Sequence, residues 1–248
     1  MEVGGGVLAA VAAAVGGEVE LRGRTAPGES GTTFLLGDDL VLELVPDVDG
    51  ALADQERLVR LVDGLRARGY PAPVFLDVGR ADEVVFTVQE RLPGRTLEPA
   101  AVKAVLPKVL DAVELQTDAG DLDDPPWPGW LLESIEHGGD GYCLHATMRR
   151  HRDTAAWLER LQAIARSAAS GPVRRTDVVH FDLNPANVLH EAGRLTGVVD
   201  WNVPFTGAAQ GDRAFDVATL LFYAYDVDAV RAQLWDRAVA TRVLDDCA

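Results

Sequence analysis

Two aspartates, an asparagine and a histidine crowd one short stretch, VVHFDLNPANVLHEAGRLTGVVDW, from Val178 to Trp201. An apolar run delivers His180, Asp182 and Asn187, and a second apolar run delivers Asp200. Carboxylate and amide oxygens are hard ligands that suit Mg²⁺, which usually completes its shell with substrate phosphates. Phosphoryl transfer asks for such a set: one carboxylate to orient the nucleophile's proton and others to hold the metal. Taken singly, Asp182 and Asn187 also read as turn residues around Pro185, and Asp200 as the cap of the next turn. Gathered at the ends of two adjacent short strands, they read as a site.

The elements that must position them fall into two blocks. Val7 to Val15 reads as an N-terminal helix. Glu18–Arg24, Thr32–Leu36 and Leu40–Val45 read as strands, with a turn-rich loop, Ala26 to Gly31, after the first. Leu52, Leu58, Leu61, Val62 and Leu65 repeat at helical spacing, with Asp47 or Asp49 as candidate cap and Gly69 as the stop. Val74–Val78 and Glu83–Gln89 complete a mainly antiparallel sheet with one packed helix. After Gly94 the pattern turns helical, over Pro99–Thr117, Asp153–Ser167, Asp212–Ala224 and Val227–Val239. Asp118 to Trp130 reads as a loop. The expectation is an α+β fold of two lobes: a small β-rich lobe over 1–92 and a larger, mainly helical lobe over 93–248.

Composition narrows the function. The chain has 248 residues, 48% of them hydrophobic, enough to bury a sizeable core. It carries 39 Asp and Glu against 23 Lys and Arg, a net charge of −16. That balance repels phosphate backbones and anionic lipid, so nucleic acid and membranes are not the expected partners; a cationic small molecule is. Two cysteines, Cys143 and Cys247, and an N-terminal leader without Lys or Arg fit a cytoplasmic protein. There is no Gly-x4-Gly-Lys-Ser/Thr loop and no Gly-x-Ser-x-Gly elbow.

His180-x-Asp182-x4-Asn187 followed by Asp200-Trp201 resembles the signature of the aminoglycoside phosphotransferase family, a branch of the protein-kinase-like fold. Gly211-Asp212-Arg213-Ala214-Phe215-Asp216-Val217-Ala218 resembles that family's G-D-x-x-x-D-x-A segment. With the two-lobed organisation, the resemblance covers nearly the whole chain. It implies transfer of the γ-phosphate of ATP or GTP to a small-molecule hydroxyl, by a monomer or homodimer that uses Mg²⁺. Asp182 would receive the acceptor's proton, Asn187 and Asp200 would bind Mg²⁺, and His180 and Asp212 would brace the site. Gly28, Ser30, Gly31 and Thr32 would lie in the phosphate-covering loop, for which an ordinary hairpin loop is the alternative. At the connector, the Glu90 carbonyl and Leu92 amide would meet the adenine edge.

The resemblance breaks at one position. Glu43 stands where the family has a strand lysine, and Glu56 matches the helix glutamate that pairs with it. The only lysines are Lys103 and Lys108, both beyond the connector. Four readings stay open: Arg22 or Arg24 neutralises the phosphates, a metal bridges the two acids, Glu43 points to solvent, or nucleotide binding is lost. The last would make the chain a catalytically impaired, kinase-like binding module. His137, Cys143, His145 and His151 are soft ligands, but their spacing matches no common zinc pattern. Asp123 and Asp124, in an acidic loop, and Trp127 and Trp130 beside it are candidates for contact with a cationic acceptor. A solvated loop and core packing are the plainer readings.

Overall fold

The computed structural model describes residues 3–24, 32–139, 145–168, 174–201, 209–223, 231–232 and 235–236. Gly28, Ser30 and Gly31 of the expected phosphate loop, Cys143 and Cys247 therefore lie outside the described residues, as does most of the last expected helix.

The chain opens with α1 (Gly5–Val15), then β1 (Leu21–Arg24), β2 (Thr33–Leu36) and β3 (Leu40–Pro46). Helix α2 (Ala51–Ala67), β4 (Phe75–Ala81) and β5 (Val84–Glu90) follow. The five strands make one antiparallel sheet in the order β1-β2-β3-β5-β4. Strand alternation gives it two unlike faces. Phe34, Leu36, Leu42, Leu44, Val84, Phe86 and Val88 form one apolar face, sealed by Val7 and Val11 of α1. The other face carries Glu43, with Thr33 and Thr87 as its register partners on the flanking strands. Helix α2 starts at Gly50, at φ 84° and with no side-chain cap. The expected cap Asp47 instead pairs with Arg80 at 2.7 Å.

The second block contains β6 (Arg95–Thr96), α3 (Pro99–Glu114), α4 (Trp127–His137), α5 (His145–Met148) and α6 (Arg152–Ala168). Then come β7 (Asp177–Val178), a 3₁₀ turn (Pro185–Asn187), β8 (Val188–Glu191), β9 (Arg194–Val198), β10 (Gln210–Gly211) and α7 (Ala214–Tyr223). The sequence reading carried the acidic loop through to Trp130, but α4 begins at Trp127, with proline in its first turn. A proline there is harmless, because the first helical N–H groups have no intrahelical partner. Strands β6, β8 and β9 form one small sheet, and β7 pairs with β10.

One apolar cluster joins Leu58, Leu61, Val62 and Leu65 of α2 to Val105, Leu106 and Val109 of α3, and onward to Leu183, Val198 and Trp201. Polar ties reinforce it. Arg68 donates to the carbonyls of Leu115 and Thr117, at 3.3 and 2.7 Å, and Arg57 reaches Gln210 Oε1 at 2.8 Å. The helix that lies under the sheet is thus also packed on the segment bearing His180 to Asp200.

Candidate active site

The segment from Val179 to Val188 holds its polar side chains through hydrogen bonds that almost close on themselves. Asp182 Oδ1 accepts from Asn184 Nδ2 at 2.8 Å, and Oδ2 accepts from Asn187 Nδ2 at 3.0 Å. Asn187 Nδ2 also donates to the Asp182 carbonyl at 2.8 Å. Both Nδ2 protons of Asn187 are thereby spent on Asp182, which leaves its Oδ1 as a free-facing acceptor. His180 Nε2 lies 2.9 Å from the Val199 carbonyl, and the Asp182 N–H donates to Nδ1 at 3.3 Å. The proton therefore sits on Nε2, because the carbonyl can only accept. His180 fixes the loop that holds Asp182 to the strand end that precedes Asp200.

A buried acid anchors this loop from below. Asp216, fully buried near the start of α7, accepts from the His180 and Phe181 N–H groups at 2.9 Å each and from Gln116 Nε2 at 2.8 Å. Burial raises its carboxyl above the ordinary value, and those donors oppose the rise. Phe181 sits at φ 68° and Asp200 at φ 65°, so left-handed residues flank the site on both segments. Such a conformation costs about 1–3 kcal/mol for a non-glycine residue unless its surroundings hold it. The Asp216 bond and ring contacts of Phe181 with Trp127 and Phe215 hold the first.

Asp212 acts one step further out: its Oδ1 accepts from the Ala214 N–H at 2.9 Å and caps α7. Asp216, which the sequence reading named only as part of a motif, is the acid that touches the loop. Its donors lie 35 and 36 residues away, so no local pattern marks them. Below it, buried Asp177 pairs with Arg213 and Arg174, both at 3.0 Å.

The opposite wall is β3 and β5. Glu43 is 8% exposed, so it does not point to solvent. Burial, with the negative charge of Asp200 added to it, pushes its carboxyl up to about 8. The expected Glu43–Glu56 pair is not there: Glu56 is exposed, and the buried polar residue of that turn is Gln55. The sequence held the signal, since the stripe Leu58, Val62 and Leu65 projects back by three or four residues to Gln55. The arginine explanation fails as well. Arg24 lies over the Phe34 ring at 5.6 Å, on the face covered by α1, and Arg22 pairs with Glu20 and Asp38.

Other sequence candidates scatter. Thr32 is half-buried at the mouth of β2, and its carbonyl accepts from the Leu44 N–H. Glu90 is bound at both ends to Val74: its N–H donates to the Val74 carbonyl and its Oε1 accepts from the Val74 N–H. Leu92 lies over Gly197, where a Cβ would meet its Cδ1 at 2.5 Å. Trp127 is not available to an acceptor: it is 5% exposed and packs on Phe181, Phe215 and Gly211. Trp130 is half-buried on α4. Asp124 is exposed and pairs with Arg175 at 2.6 Å; Asp123 is exposed. His145 is buried and His151 exposed, and no group of three metal-ligating side chains occurs among the described residues.

An antiparallel sheet beside a mainly helical part, with Asp182 bonded to Asn187 and Asp200 acting on Glu43 of the sheet, defines a kinase-like phosphotransferase fold. The chain belongs to the phosphotransferase enzyme family, whose sequence pattern matches residues 24–245. No curated protein matches it. Among solved structures it is similar to an aminoglycoside 3''-phosphotransferase from Streptomyces rimosus in complex with ADP and streptomycin. The identity is 15%, the TM-score 0.56, and the match covers 90% of this chain and 91% of that one. An aminoglycoside-3'-phosphotransferase of type VIII matches at 20% identity and TM-score 0.57, over 93% of this chain and 94% of that one. A macrolide 2'-phosphotransferase from Brachybacterium faecium matches at 21% identity and TM-score 0.54, over 93% and 81%.

The donor set fits a divalent cation. Asn187 Oδ1 is left open by its own Nδ2 bonds, and no described residue donates a hydrogen bond to the Asp200 carboxylate. Burial raises that carboxyl above its ordinary value; His180 opposes the rise and the charge of Asp182 adds to it.

Proposed function

We propose that this chain transfers the γ-phosphate of ATP or GTP to a hydroxyl of a small molecule, in an Mg²⁺-dependent reaction. The observation that carries the reading is the Asp182 carboxylate, held between the Asn184 and Asn187 amides and near enough to Asp200 for its charge to act on that carboxyl. Asp182 orients the acceptor hydroxyl and takes its proton as the acceptor oxygen–phosphorus bond forms and the bond from the γ-phosphorus to the β–γ bridging oxygen breaks, releasing ADP or GDP. Asn187 Oδ1 and Asp200 would hold Mg²⁺, which when bound supplies charge compensation for the triphosphate. His180 and Asp216 keep the loop fixed, so little reorganisation is needed when charge moves.

The net charge of −16 favours a cationic acceptor. An aminoglycoside is the class to try first, which would make antibiotic resistance the biological setting. Support comes from family membership and from a structural neighbour that holds ADP and streptomycin. The test is labelled-phosphate transfer from ATP and GTP to a panel of aminoglycosides, macrolides and amino sugars. Product from the wild type and none from Asp182→Asn supports the mechanism; equal turnover by the two would end it.

Buried Glu43, with no cation beside it among the described residues, favours a second reading, a kinase-like module that binds but does not catalyse. That reading predicts nucleotide affinity that does not respond to Mg²⁺, and no product from any acceptor.

A further inference from the structure

On the polar face of the five-stranded sheet, neighbouring buried groups lack partners. Glu43 is 8% exposed, Thr87 3% and Gln89 5%. Thr87 is the register partner of Glu43, so both side chains rise from the same face, and Gln89 follows two residues along. The Thr87 hydroxyl and Gln89 Oε1 have no hydrogen-bond partner. Among the described residues nothing donates a hydrogen bond to the Glu43 carboxyl either. Buried polar groups in folded proteins are nearly always bonded, so an unpaired set of this kind points to something that fills it.

Charge says what fills it. The group that acts on Glu43 across the opening is Asp200, of the same sign. Arginines of the first block are engaged elsewhere or exposed: Arg24 on Phe34, Arg22 with Glu20 and Asp38, Arg57 with Asp121, Arg66 with Asp63, Arg68 with the Leu115 and Thr117 carbonyls, Arg80 with Asp47 and Arg91 with the Asp38 carbonyl, while Arg60 is exposed. Lys108 pairs with Asp111 on α3. The Glu43 carboxyl, the Asp200 carboxyl that acts on it, the Thr87 hydroxyl and the Gln89 amide oxygen are all hard donors. Mg²⁺ and Mn²⁺ take one or two carboxylates and complete the shell with water or phosphate oxygens.

We infer that Glu43 and Asp200 together bind one divalent cation at the sheet end of the opening, with the Thr87 hydroxyl as a further oxygen donor. This cation stands where the resemblance places a lysine and offsets phosphate charge in its stead. Asp200 is then shared between this cation and the one assigned to Asn187. The inference rests on the reading of Asp200 as a metal ligand, but its test needs neither an acceptor nor turnover.

The test is Mn²⁺ titration of the full chain, followed by electron paramagnetic resonance, without nucleotide and then with saturating ADP. Wild type, Glu43→Gln, Thr87→Val and Asn187→Ala are compared. The inference expects Glu43→Gln to lose one bound Mn²⁺, or to weaken it tenfold or more, while Asn187→Ala keeps that ion. Thr87→Val should weaken the same ion by about threefold. Glu43→Gln is nearly isosteric, and a thermal melt confirms that it folds.

A second variant, Glu43→Lys, should bind ADP in EDTA about as well as with Mg²⁺, whereas the wild type should lose at least tenfold in EDTA. Wild-type Mn²⁺ binding that Glu43→Gln changes by less than threefold overturns the inference, as does no Mn²⁺ binding with or without ADP. Mn²⁺ held through Glu43 without transfer to any acceptor would sustain the inference and defeat the proposed reaction. Transfer that persists with Glu43→Gln binding as the wild type does would defeat the inference alone.

Discussion

The two walls of the opening are built on opposite principles. Around Asp182, nearly every polar atom has a partner: Asn184 and Asn187 on the carboxylate, Val199 on His180, Asp216 beneath two N–H groups. On the sheet side Glu43, Thr87 and Gln89 are buried, the Thr87 hydroxyl and Gln89 Oε1 have no partner, and among the described residues nothing donates to the Glu43 carboxyl. The first wall holds Asp182 and His180 in place through the fold itself, and leaves only Asn187 Oδ1 and the Asp200 carboxylate open. The second is left without such bonds, which is why a bound cation is proposed there. On the proposed reading, the residue that takes the proton is held fixed, while the side that meets charge is left open for it.

Substitutions on the two walls should therefore have opposite signs. The largest effect is expected from Asp182→Asn, which keeps the shape and removes the proton acceptor. Phosphate transfer should fall by about 10²–10⁴-fold, the usual share of a general base, with the melting temperature unchanged. Steady-state assay beside calorimetry checks both halves.

On the same wall, Asp177→Ala removes the partner of buried Arg213 and should cost about 3–5 kcal/mol in urea unfolding. Burial alone would raise Asp177, but bonds from Arg174, the Asp118 N–H and Arg213 outweigh it and leave its carboxyl below the ordinary value. Its contribution is present above the unfolded-state value and is lost as pH falls through the folded one. The wild-type advantage over Asp177→Ala should therefore shrink at acid pH.

The sheet wall should behave in the reverse sense. Glu43→Met removes an unpaired buried carboxyl and should stabilise the metal-free protein. Because the folded value lies near 8 and the unfolded one near 4.5, the wild type loses stability as pH rises between them, and not below or above. The gain from Glu43→Met, measured in EDTA, should grow through that window by up to about 1.4 kcal/mol per pH unit. A gain independent of pH would mean that Glu43 already has a partner.

The smallest effect belongs to the join between the walls. Gly94 sits at φ 114°, and a Cβ there would lie 2.9 Å from the His190 carbonyl. Gly94→Ala should cost about 1–2 kcal/mol through strain, with nucleotide affinity changed more than the affinity for acceptor.

Legibility in the sequence divides along the same line. His180, Asp182, Asn187 and Asp200 were readable because their order and spacing are local, and so were the alternating strands and the α2 stripe. Asp216 was not readable as the loop's anchor, because its partners arrive from Gln116 and from a segment in contact only after folding. Trp127 misled because prolines flank it, although proline opens a helix as readily as it ends one. Glu56 misled by one residue of helical phase, a 100° turn that carries a side chain from the core to solvent. What could not be read at all is the want of partners around Thr87 and Gln89, since an absence has no sequence pattern.

Calorimetric titration of ADP and GDP into the wild type and Glu43→Lys, each with Mg²⁺ and with EDTA, is the most direct test that this opening takes a metal–nucleotide pair without a lysine. The account predicts that the wild type binds at least one nucleotide with Mg²⁺ and loses that binding in EDTA, while Glu43→Lys binds in both. No binding by the wild type under any condition, with binding restored in Glu43→Lys, would contradict it and identify a kinase-like fold turned to non-catalytic use.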